Sequence, residues 1–277
     1  MSSVVILGAG PVGAGLAHRL AERGRVPAIT LVDDRQGGAA GVALDIRQSG
    51  PIVPSDISVT TGDGVLAAAG ASVIVVADEM DAGEWEGDRG LALVGQLVRA
   101  GAGAPFVFTG NRAGWLMEAC FGELNVPANR LIGTAASAMV GAIRAWAGLE
   151  VGLSSFDVTA VGRPPRLVVG WSAATVDGSL ATDRIPAHRL LALSDQLAKL
   201  WPPGPFAVAS ATALVVEALI AGSRRLHPAL TILDGELGAR GRAVLLPLDL
   251  AHGRVRSHVV PSLSPQERTE LLNSVAE

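Results

Sequence analysis

The sequence has very little of three residue types. Cys120 is the one cysteine among 277 residues, Lys199 is the one lysine among 22 basic residues, and aromatic side chains make up 4%. A single cysteine excludes an internal disulfide and a metal site built from several cysteines. Its helical, half-apolar surroundings predict a buried structural thiol. Without a basic stripe or a row of aromatic residues, the chain lacks the features that bind nucleic acid, so we expect no such partner.

Long apolar runs are also missing, although the chain is apolar overall. Hydrophobic residues make up 49% and charged residues 17%, with a mean hydropathy of +0.40 and a formal net charge of −4. We expect no membrane-spanning segment, because a span needs about 18 or more consecutive apolar residues. The apolar start, residues 4–7, is too short for the core of a signal peptide. These patterns predict a cytoplasmic protein.

The hydrophobic periodicity divides the chain into two parts. Short β-branched runs such as residues 71–76 alternate with helical patterns over about the first 130 residues. This alternation is typical of α/β proteins with a Rossmann-type, doubly wound parallel sheet. The second part has antiparallel strand patterns, such as residues 157–161, between amphipathic helices. We predict a dinucleotide-binding domain over residues 1–135 and an α+β domain over residues 136–277.

A glycine pattern follows the first predicted strand and precedes the first predicted helix. In the G-x-G-x-x-G pattern, the first glycine allows a tight turn, and the second lets a pyrophosphate approach the backbone. The third lets the helix pack closely on the strand. The helix then presents free N–H groups and a partial positive charge to the phosphates. The residues expected at the pyrophosphate are Gly8, Gly10, Pro11, Val12 and Gly13.

An acidic residue stands where the ribose of such a dinucleotide would be bound. Asp33 follows Gly13 by 20 residues, at the end of the second predicted strand. A carboxylate there accepts hydrogen bonds from ribose hydroxyls and repels a 2′-phosphate, so the pattern predicts NAD rather than NADP. Asp34 strengthens the repulsion, whereas Arg35 is a cation close by. The alternative interpretation is a glycine-rich turn with an incidental aspartate.

Beyond this motif, the sequence resembles the lactate/malate dehydrogenases over nearly its full length. The resemblance implies a Rossmann domain followed by an α+β catalytic domain, NAD as cofactor, and assembly as a homodimer or homotetramer. The matching segments are the glycine turn with Asp33, residues 41–46, 71–76, 108–111, 130–134, 234–238, 246–247, 253 and 263–267.

The catalytic residues of that family are largely replaced. The family's catalytic histidine stands in a turn that corresponds here to residues 161–166, which contain no histidine. Ser137 and Val140 match the aspartate that orients the histidine and the arginine that binds the substrate carboxylate. Neither side chain can perform those tasks. The sequence therefore predicts a rebuilt active site.

The loop that carries arginines over the substrate in the family has become acidic. It corresponds to residues 78–89, the acidic segment, in which Arg89 is the one cation. The family's Thr-Ala-Gly at the end of the fourth strand is Ala77-Asp78-Glu79 here, and Ala77 remains expected at the cofactor. Asn111 matches the family asparagine that contacts the substrate and the nicotinamide ribose. An acidic loop favours a neutral or cationic small-molecule substrate.

A few other residues are candidates for chemistry. Arg163 and Arg166 flank two prolines in the altered turn, where they form either a new anion site or ordinary surface cations. His188 and His227 are either substitute acids or surface histidines. The histidines have no partner at the spacing of metal ligands, so we expect no metal site.

The leading hypothesis is an NAD(H)-binding oxidoreductase-type protein with a rebuilt active site, which is not an ordinary lactate or malate dehydrogenase. The alternative is a non-catalytic NAD-binding protein with a role in assembly or sensing. A third possibility is that the change at residues 77–79 blocks the nicotinamide and only an adenine nucleotide binds.

Overall fold

The computed structural model describes residues 3–52, 56–152 and 156–276. Within these ranges the strands are β1 (Ser3–Leu7), β2 (Ala28–Val32), β3 (Ser58–Thr61), β4 (Val73–Val76), β5 (Phe106–Phe108), β6 (Leu131–Gly133), β7 (Phe156–Asp157), β8 (Ala160–Arg163), β9 (Arg166–Val169), β10 (Thr175–Val176), β11 (Ser179–Leu180), β12 (His227–Asp234), β13 (Arg240–Ala251) and β14 (Arg254–His258). The helices in the same ranges are α1 (Pro11–Arg23), α2 (Gly38–Ser49), α3 (Gly87–Arg99), α4 (Ala113–Gly122), α5 (Ala135–Val151), α6 (Ala181–Arg184), α7 (Ala187–Lys199), α8 (Pro205–Ala221) and α9 (Pro265–Ala276).

Parallel strands form the first half of the main sheet, in the order β3-β2-β1-β4-β5-β6. Leu7 at the end of β1 lies beside Val32 of β2 on one side and Val76 of β4 on the other. The strand order reverses between β1 and β4, so the helices that follow these strands leave towards opposite faces. In parallel sheets a ligand crevice opens at the carboxyl ends of the strands at such a reversal. The predicted α/β class and Rossmann-type sheet are confirmed.

The second half of the sheet is antiparallel and continues directly from the first. β12 joins β6 through Leu230 and Gly133, and β13, β8 and β9 follow in that order, with β14 also pairing with β13. A small separate sheet has the order β11-β10-β7. The predicted boundary between residues 135 and 136 falls at the start of α5, and it stays a prediction because one sheet runs through both parts. Residues 1, 2, 53–55, 153–155 and 277 of the predicted domains lie outside the described residues.

Buried apolar side chains cover both faces of the sheet. Alternate residues of a strand point to opposite faces, so Val5 and Leu7 pack with one cluster and Val4 and Ile6 with the other. Cys120 belongs to the first cluster and is fully buried, which confirms the predicted structural thiol. Burial away from water raises the pKa of this thiol to about 12 and keeps it protonated and unreactive.

The strand pattern of residues 71–76 contains β4, as predicted. The interpretation of residues 157–161 as one strand is wrong, because the chain crosses there from β7 in the small sheet to β8 in the main sheet. The hairpin of β10 and β11 was not predicted, although Asp177-Gly178 is a typical hairpin turn. Both turn residues have a positive φ, 47° at Asp177 and 81° at Gly178. Among the described residues, no helix is long and apolar enough to cross a membrane.

Candidate functional site

The glycine turn lies in the crevice between β1 and β4, and it requires glycine at two positions. Gly8 has a φ of +110°, a conformation that residues with a side chain rarely adopt. At Gly13, a Cβ would lie 2.0 Å from the carbonyl oxygen of Gly8, so only glycine lets α1 start this close to the strand. Gly10 has an extended backbone and caps α1, and Pro11 begins the helix. The turn therefore has the local structure that the sequence predicts.

The amino end of α1 already carries a negative group, the side chain of Asp78. Asp78 Oδ1 accepts hydrogen bonds from the backbone N–H groups of Val12 and Gly13, both at 3.0 Å, and Oδ2 lies 3.2 Å from Val12 N. The backbone carbonyl of Asp78 also accepts a hydrogen bond from Gly10 N at 2.8 Å. Asp78 thus satisfies the helix donors that would otherwise bind a phosphate.

The side chain of Asp33 is similarly engaged by the backbone. Its Oδ2 accepts hydrogen bonds from Ala9 N at 2.7 Å and from Met80 N at 3.2 Å, and its Oδ1 accepts one from Arg35 N at 3.0 Å. Asp33 therefore joins three pieces of chain: the glycine turn, the loop after β2 and the acidic segment. Three backbone N–H groups hold the Asp33 carboxylate in place, and two hold the Asp78 carboxylate.

These contacts test whether the site, as arranged, fits a dinucleotide. A pyrophosphate needs the N–H groups at the amino end of α1 and space above Gly10. Both are taken by Asp78, whose Oδ2 lies 2.7 Å from the position of a Cβ on Gly10. A pyrophosphate placed there would also meet a second negative charge at short range. The residues in this arrangement do not fit NAD, and Asp78 has to leave before they could.

The acidic segment is fastened over the crevice by an ion pair. Glu79 is buried, and its carboxylate pairs with the guanidinium of Arg89. Loss of hydration raises the pKa of Glu79, while the hydrogen bond from Arg89 opposes that rise. The Arg89 guanidinium also lies 4.3 Å from the ring centroid of Trp85 and donates to the Glu84 carbonyl at 2.7 Å. Arg89, the one cation of the acidic segment, is therefore engaged by other groups of the same segment.

Glu84 reaches the end of β5 and meets a residue expected at the substrate. Its Oε2 accepts a hydrogen bond from Asn111 N at 2.8 Å, close to the amino end of α4. Desolvation raises the pKa of Glu84, partly offset by that hydrogen bond. A cavity of only about 10 Å³ remains between the segment and the strand ends, lined by Glu84, Trp85, Phe108 and Gly110 among others. It has room for about one water molecule and none for a nicotinamide ring.

Ala77 is the remaining cofactor residue expected from the sequence. It is buried, and its N–H donates to the carbonyl of Leu7 at 2.8 Å. Its carbonyl oxygen lies 2.7 Å from the position of a Cβ on Gly8. Ala77 thus places the start of the acidic segment against the glycine turn.

The two arginines at the turn between β8 and β9 have different surroundings. Arg163 donates to Glu118 Oε1 at 2.7 Å, and the same oxygen accepts a hydrogen bond from Ala243 N at 2.9 Å. Arg163 is therefore a structural tie from β8 to α4 and β13, and its guanidinium is engaged by a carboxylate. Arg166 lies opposite Arg163 in the β8–β9 hairpin and is exposed.

Ser137 and Val140, which the sequence resemblance predicts at the positions of the family's aspartate and arginine, lie on α5. Both are buried, and both line a groove of about 480 Å³ between α5 and α8. His227 lines the same groove, and its Nε2 lies 2.8 Å from Ser223 Oγ. Desolvation, with a smaller contribution from Arg225, lowers the pKa of His227 and favours its neutral form.

His188 lies exposed on α7, far along the chain from the residues of the crevice. The described parts of the chain contain no group of three or more histidine, cysteine, aspartate or glutamate side chains placed to hold a metal ion.

Sequence reasoning missed the inward orientation of Asp78, Glu79 and Glu84. The available signal was the position of Asp78, one residue beyond Ala77 at the end of a strand facing the glycine turn.

Comparisons with known proteins agree with the resemblance seen in the sequence. No protein-family model matches the chain. It is 27% identical over 300 residues to a malate dehydrogenase of Thioalkalivibrio sulfidiphilus, covering 100% of this chain and 97% of the relative. It is 28% identical over 291 residues to a malate dehydrogenase of Thermomicrobium roseum, covering 98% and 94%. These relatives support a dehydrogenase-like function.

Solved structures show the same fold. A malate dehydrogenase from Salinibacter ruber superposes with a TM-score of 0.87 at 22% identity, covering 99% of this chain and 94% of that one. A minor L-lactate dehydrogenase from Enterococcus mundtii gives a TM-score of 0.86 at 22% identity, covering 99% and 95%. The chain therefore has the fold of the lactate and malate dehydrogenases.

Proposed function

We propose that this chain is a dehydrogenase-like protein of the lactate/malate dehydrogenase family with a rebuilt active site, and that it is not an ordinary lactate or malate dehydrogenase. The observation that carries this proposal is the pair Ser137 and Val140, buried on α5 where the family has an aspartate and an arginine. A hydroxyl and an aliphatic side chain cannot orient a general base or bind a carboxylate in a bidentate manner.

The turn between β8 and β9 supports the same proposal. Pro164 and Pro165 occupy the tip of this turn, and neither has an acid or a base in its side chain. Arg163 beside them is paired with Glu118. Loss of general acid–base catalysis alone costs about 10²- to 10⁴-fold in rate. Together these replacements remove the proton transfer and the substrate orientation on which hydride transfer to a 2-oxo acid depends.

The charge of the crevice determines the substrate class that we propose. Asp78, Glu79 and Glu84 all turn their carboxylates inward, and Arg89 neutralises one of them. An anionic 2-oxo acid would be repelled at this entrance. If the protein turns over a small molecule, we propose that the molecule is neutral or cationic.

NAD is the cofactor that we propose for this fold. The residues that would hold it are the glycine turn with Pro11 and Val12, Asp33 at the ribose, Ala77, and Asn111 at the nicotinamide side. What supports NAD is the form of the turn and the acidic residue at the end of β2. What opposes it is the position of Asp78, so NAD requires the acidic segment to move.

A turnover experiment tests the proposal. Purified protein and NADH are mixed with oxaloacetate, with pyruvate and with a panel of neutral and cationic oxo compounds, and the loss of NADH absorbance is followed. We expect no turnover of oxaloacetate or pyruvate above the background without protein. Turnover of either at about 1 s⁻¹ or faster, as in a working enzyme, would refute the proposal.

A non-catalytic role in assembly or sensing is the second candidate. It is favoured by Asp78, because this side chain occupies the N–H groups at the amino end of α1 that a cofactor phosphate would need. Binding of NADH without turnover of any compound in the panel would select this candidate. Turnover of a neutral or cationic compound would select the first.

We propose a cytoplasmic protein, since its one cysteine is a buried thiol rather than part of a disulfide.

We also propose a homodimer or homotetramer. The support is the open groove between α5 and α8, where Leu214 is 46% exposed, and the exposed Leu44 on α2. The mass in solution, measured by light scattering after size-exclusion chromatography, tests the assembly.

A further inference from the structure

We propose that Asp78 is an internal occupant of the anion site at the amino end of α1, and that it keeps this site closed to the pyrophosphate of a dinucleotide. The inference deepens the proposed function and rests on its dinucleotide site. It is independent of any catalytic residue, because it concerns only the donors of the glycine turn. The ligand in question is a diphosphate, bound either as part of NADH or alone.

The geometry of Asp78 is that of a bound anion. One carboxylate oxygen receives both free N–H groups of the first helical turn, from Val12 and Gly13, at 3.0 Å. Hydrogen bonds to a charged acceptor are stronger than neutral ones, and the helix dipole adds to them. The same residue is also fixed through its backbone by the hydrogen bond from Gly10 N. Both ends of Asp78 are therefore attached to the glycine turn.

The rest of the acidic segment holds Asp78 in this position. Met80 N donates to Asp33, Glu79 pairs with Arg89, and Glu84 accepts from Asn111 N. A short β-bridge between Glu79 and Gly83 closes the segment on itself. These contacts lie directly after Asp78 in the chain, so they hold the backbone of Asp78 beside the glycine turn.

An attached carboxylate competes well because it never diffuses away. A group tethered by a short piece of chain acts at an effective concentration of about millimolar or more. If the open form is about 1% to 10% populated, the apparent Kd of a diphosphate ligand is raised by the inverse of that fraction, about 10- to 100-fold. Removing the Asp78 carboxylate should recover this factor.

The test compares three variants of the purified full chain. Asp78→Ala removes the carboxylate, and Asp78→Asn keeps an acceptor of similar shape without the charge. Asp81→Ala is the matched control, because Asp81 is an acidic residue of the same segment that is 69% exposed and pairs with the exposed Arg35. Circular dichroism and the unfolding midpoint show that each variant is folded.

Binding is measured by titration calorimetry with two probes, NADH and inorganic pyrophosphate. For both probes we expect Asp78→Ala to bind about 10- to 100-fold more tightly than the unchanged protein, and Asp81→Ala to bind as the unchanged protein does. Asp78→Asn should fall between, because an amide oxygen still accepts a hydrogen bond but does not repel phosphate.

The two probes separate the two proposals. If Asp78→Ala gains affinity for pyrophosphate but not for NADH, the inference about Asp78 holds and the dinucleotide proposal fails. If folded Asp78→Ala gains affinity for neither probe, the inference about Asp78 is wrong. It is also wrong if the unchanged protein binds either probe as tightly as Asp78→Ala does.

Discussion

The carboxylate of Asp33 accepts a hydrogen bond from the backbone N–H of Ala9 at 2.7 Å, between the first two glycines of the turn. The same oxygen accepts a hydrogen bond from Met80 N. The residue that the sequence assigns to a ribose is thus already part of the framework of the turn. Its removal should have consequences for folding as well as for binding.

We expect Asp33→Ala to destabilise the protein by about 1–3 kcal/mol in the absence of any ligand, because backbone donors lose a charged acceptor. Asp33→Asn keeps an acceptor and should cost less. Urea unfolding followed by circular dichroism measures both. An Asp33→Ala variant as stable as the parent would show that Asp33 serves only a ligand.

The glycine turn allows a matched pair of glycine substitutions. Gly13→Ala places a Cβ 2.0 Å from the backbone carbonyl oxygen of Gly8, so helix and strand must separate. We expect a loss of about 3 kcal/mol or more in the free energy of unfolding. Gly41 lies inside α2 with no atom within 4 Å of its Cβ position, and Gly41→Ala should stabilise by about 0.5–1 kcal/mol. Equal effects at both positions would contradict the close packing at Gly13.

The pH dependence of stability should report on Glu84. Its pKa is raised in the folded protein by desolvation, so the folded state favours the neutral acid relative to the unfolded chain. The stability that this side chain contributes is present below the unfolded pKa and is lost as pH rises through the raised, folded pKa.

Glu84→Gln keeps an acceptor for Asn111 N and cannot ionise. We therefore expect the stability of Glu84→Gln relative to the unchanged protein to increase as pH rises from about 4 to about 7. Thermal unfolding at a series of pH values measures the difference. Asp81→Ala is the control, since Asp81 is exposed, and its difference should be small throughout. If the stability of Glu84→Gln relative to the unchanged protein fell as pH rose, the pKa of Glu84 would be lowered, not raised, in the folded protein.

Arg163 should behave as a structural residue. It is paired with Glu118, and both side chains are less than a quarter exposed, 24% and 18%. We expect Arg163→Ala to cost about 1–3 kcal/mol of stability, because among the described residues Glu118 then keeps Arg242 at 3.6 Å and one backbone donor.

Arg112→Ala is the comparison, since Arg112 is 76% exposed and pairs with an exposed glutamate, and such pairs contribute about 0–1 kcal/mol. Chemical denaturation of both variants checks the difference. A larger loss at Arg112 than at Arg163 would contradict the assignment.

The parallel half of the fold was predictable because its signals are local. The β-branched run that forms β4, the glycine turn and the helical spacing after it each identify an element without its neighbours. The hairpin at Asp177-Gly178 also has a local signal, the Asp-Gly turn. The crossing from β7 to β8 had none, because consecutive short strands that enter different sheets resemble one strand in sequence.

By itself, the sequence determined that a glycine turn lies between β1 and α1 and that an aspartate follows the neighbouring strand. Each of these facts depends on residue identity within a short stretch of chain. Only the tertiary structure decided which group occupies the amino end of α1. Asp78 lies 65 residues from Gly13, and their hydrogen bond exists because β1 and β4 are adjacent in the sheet. The position of Asp78 after β4 predicts that it lies near the turn, but the direction of its side chain is set by packing across the sheet.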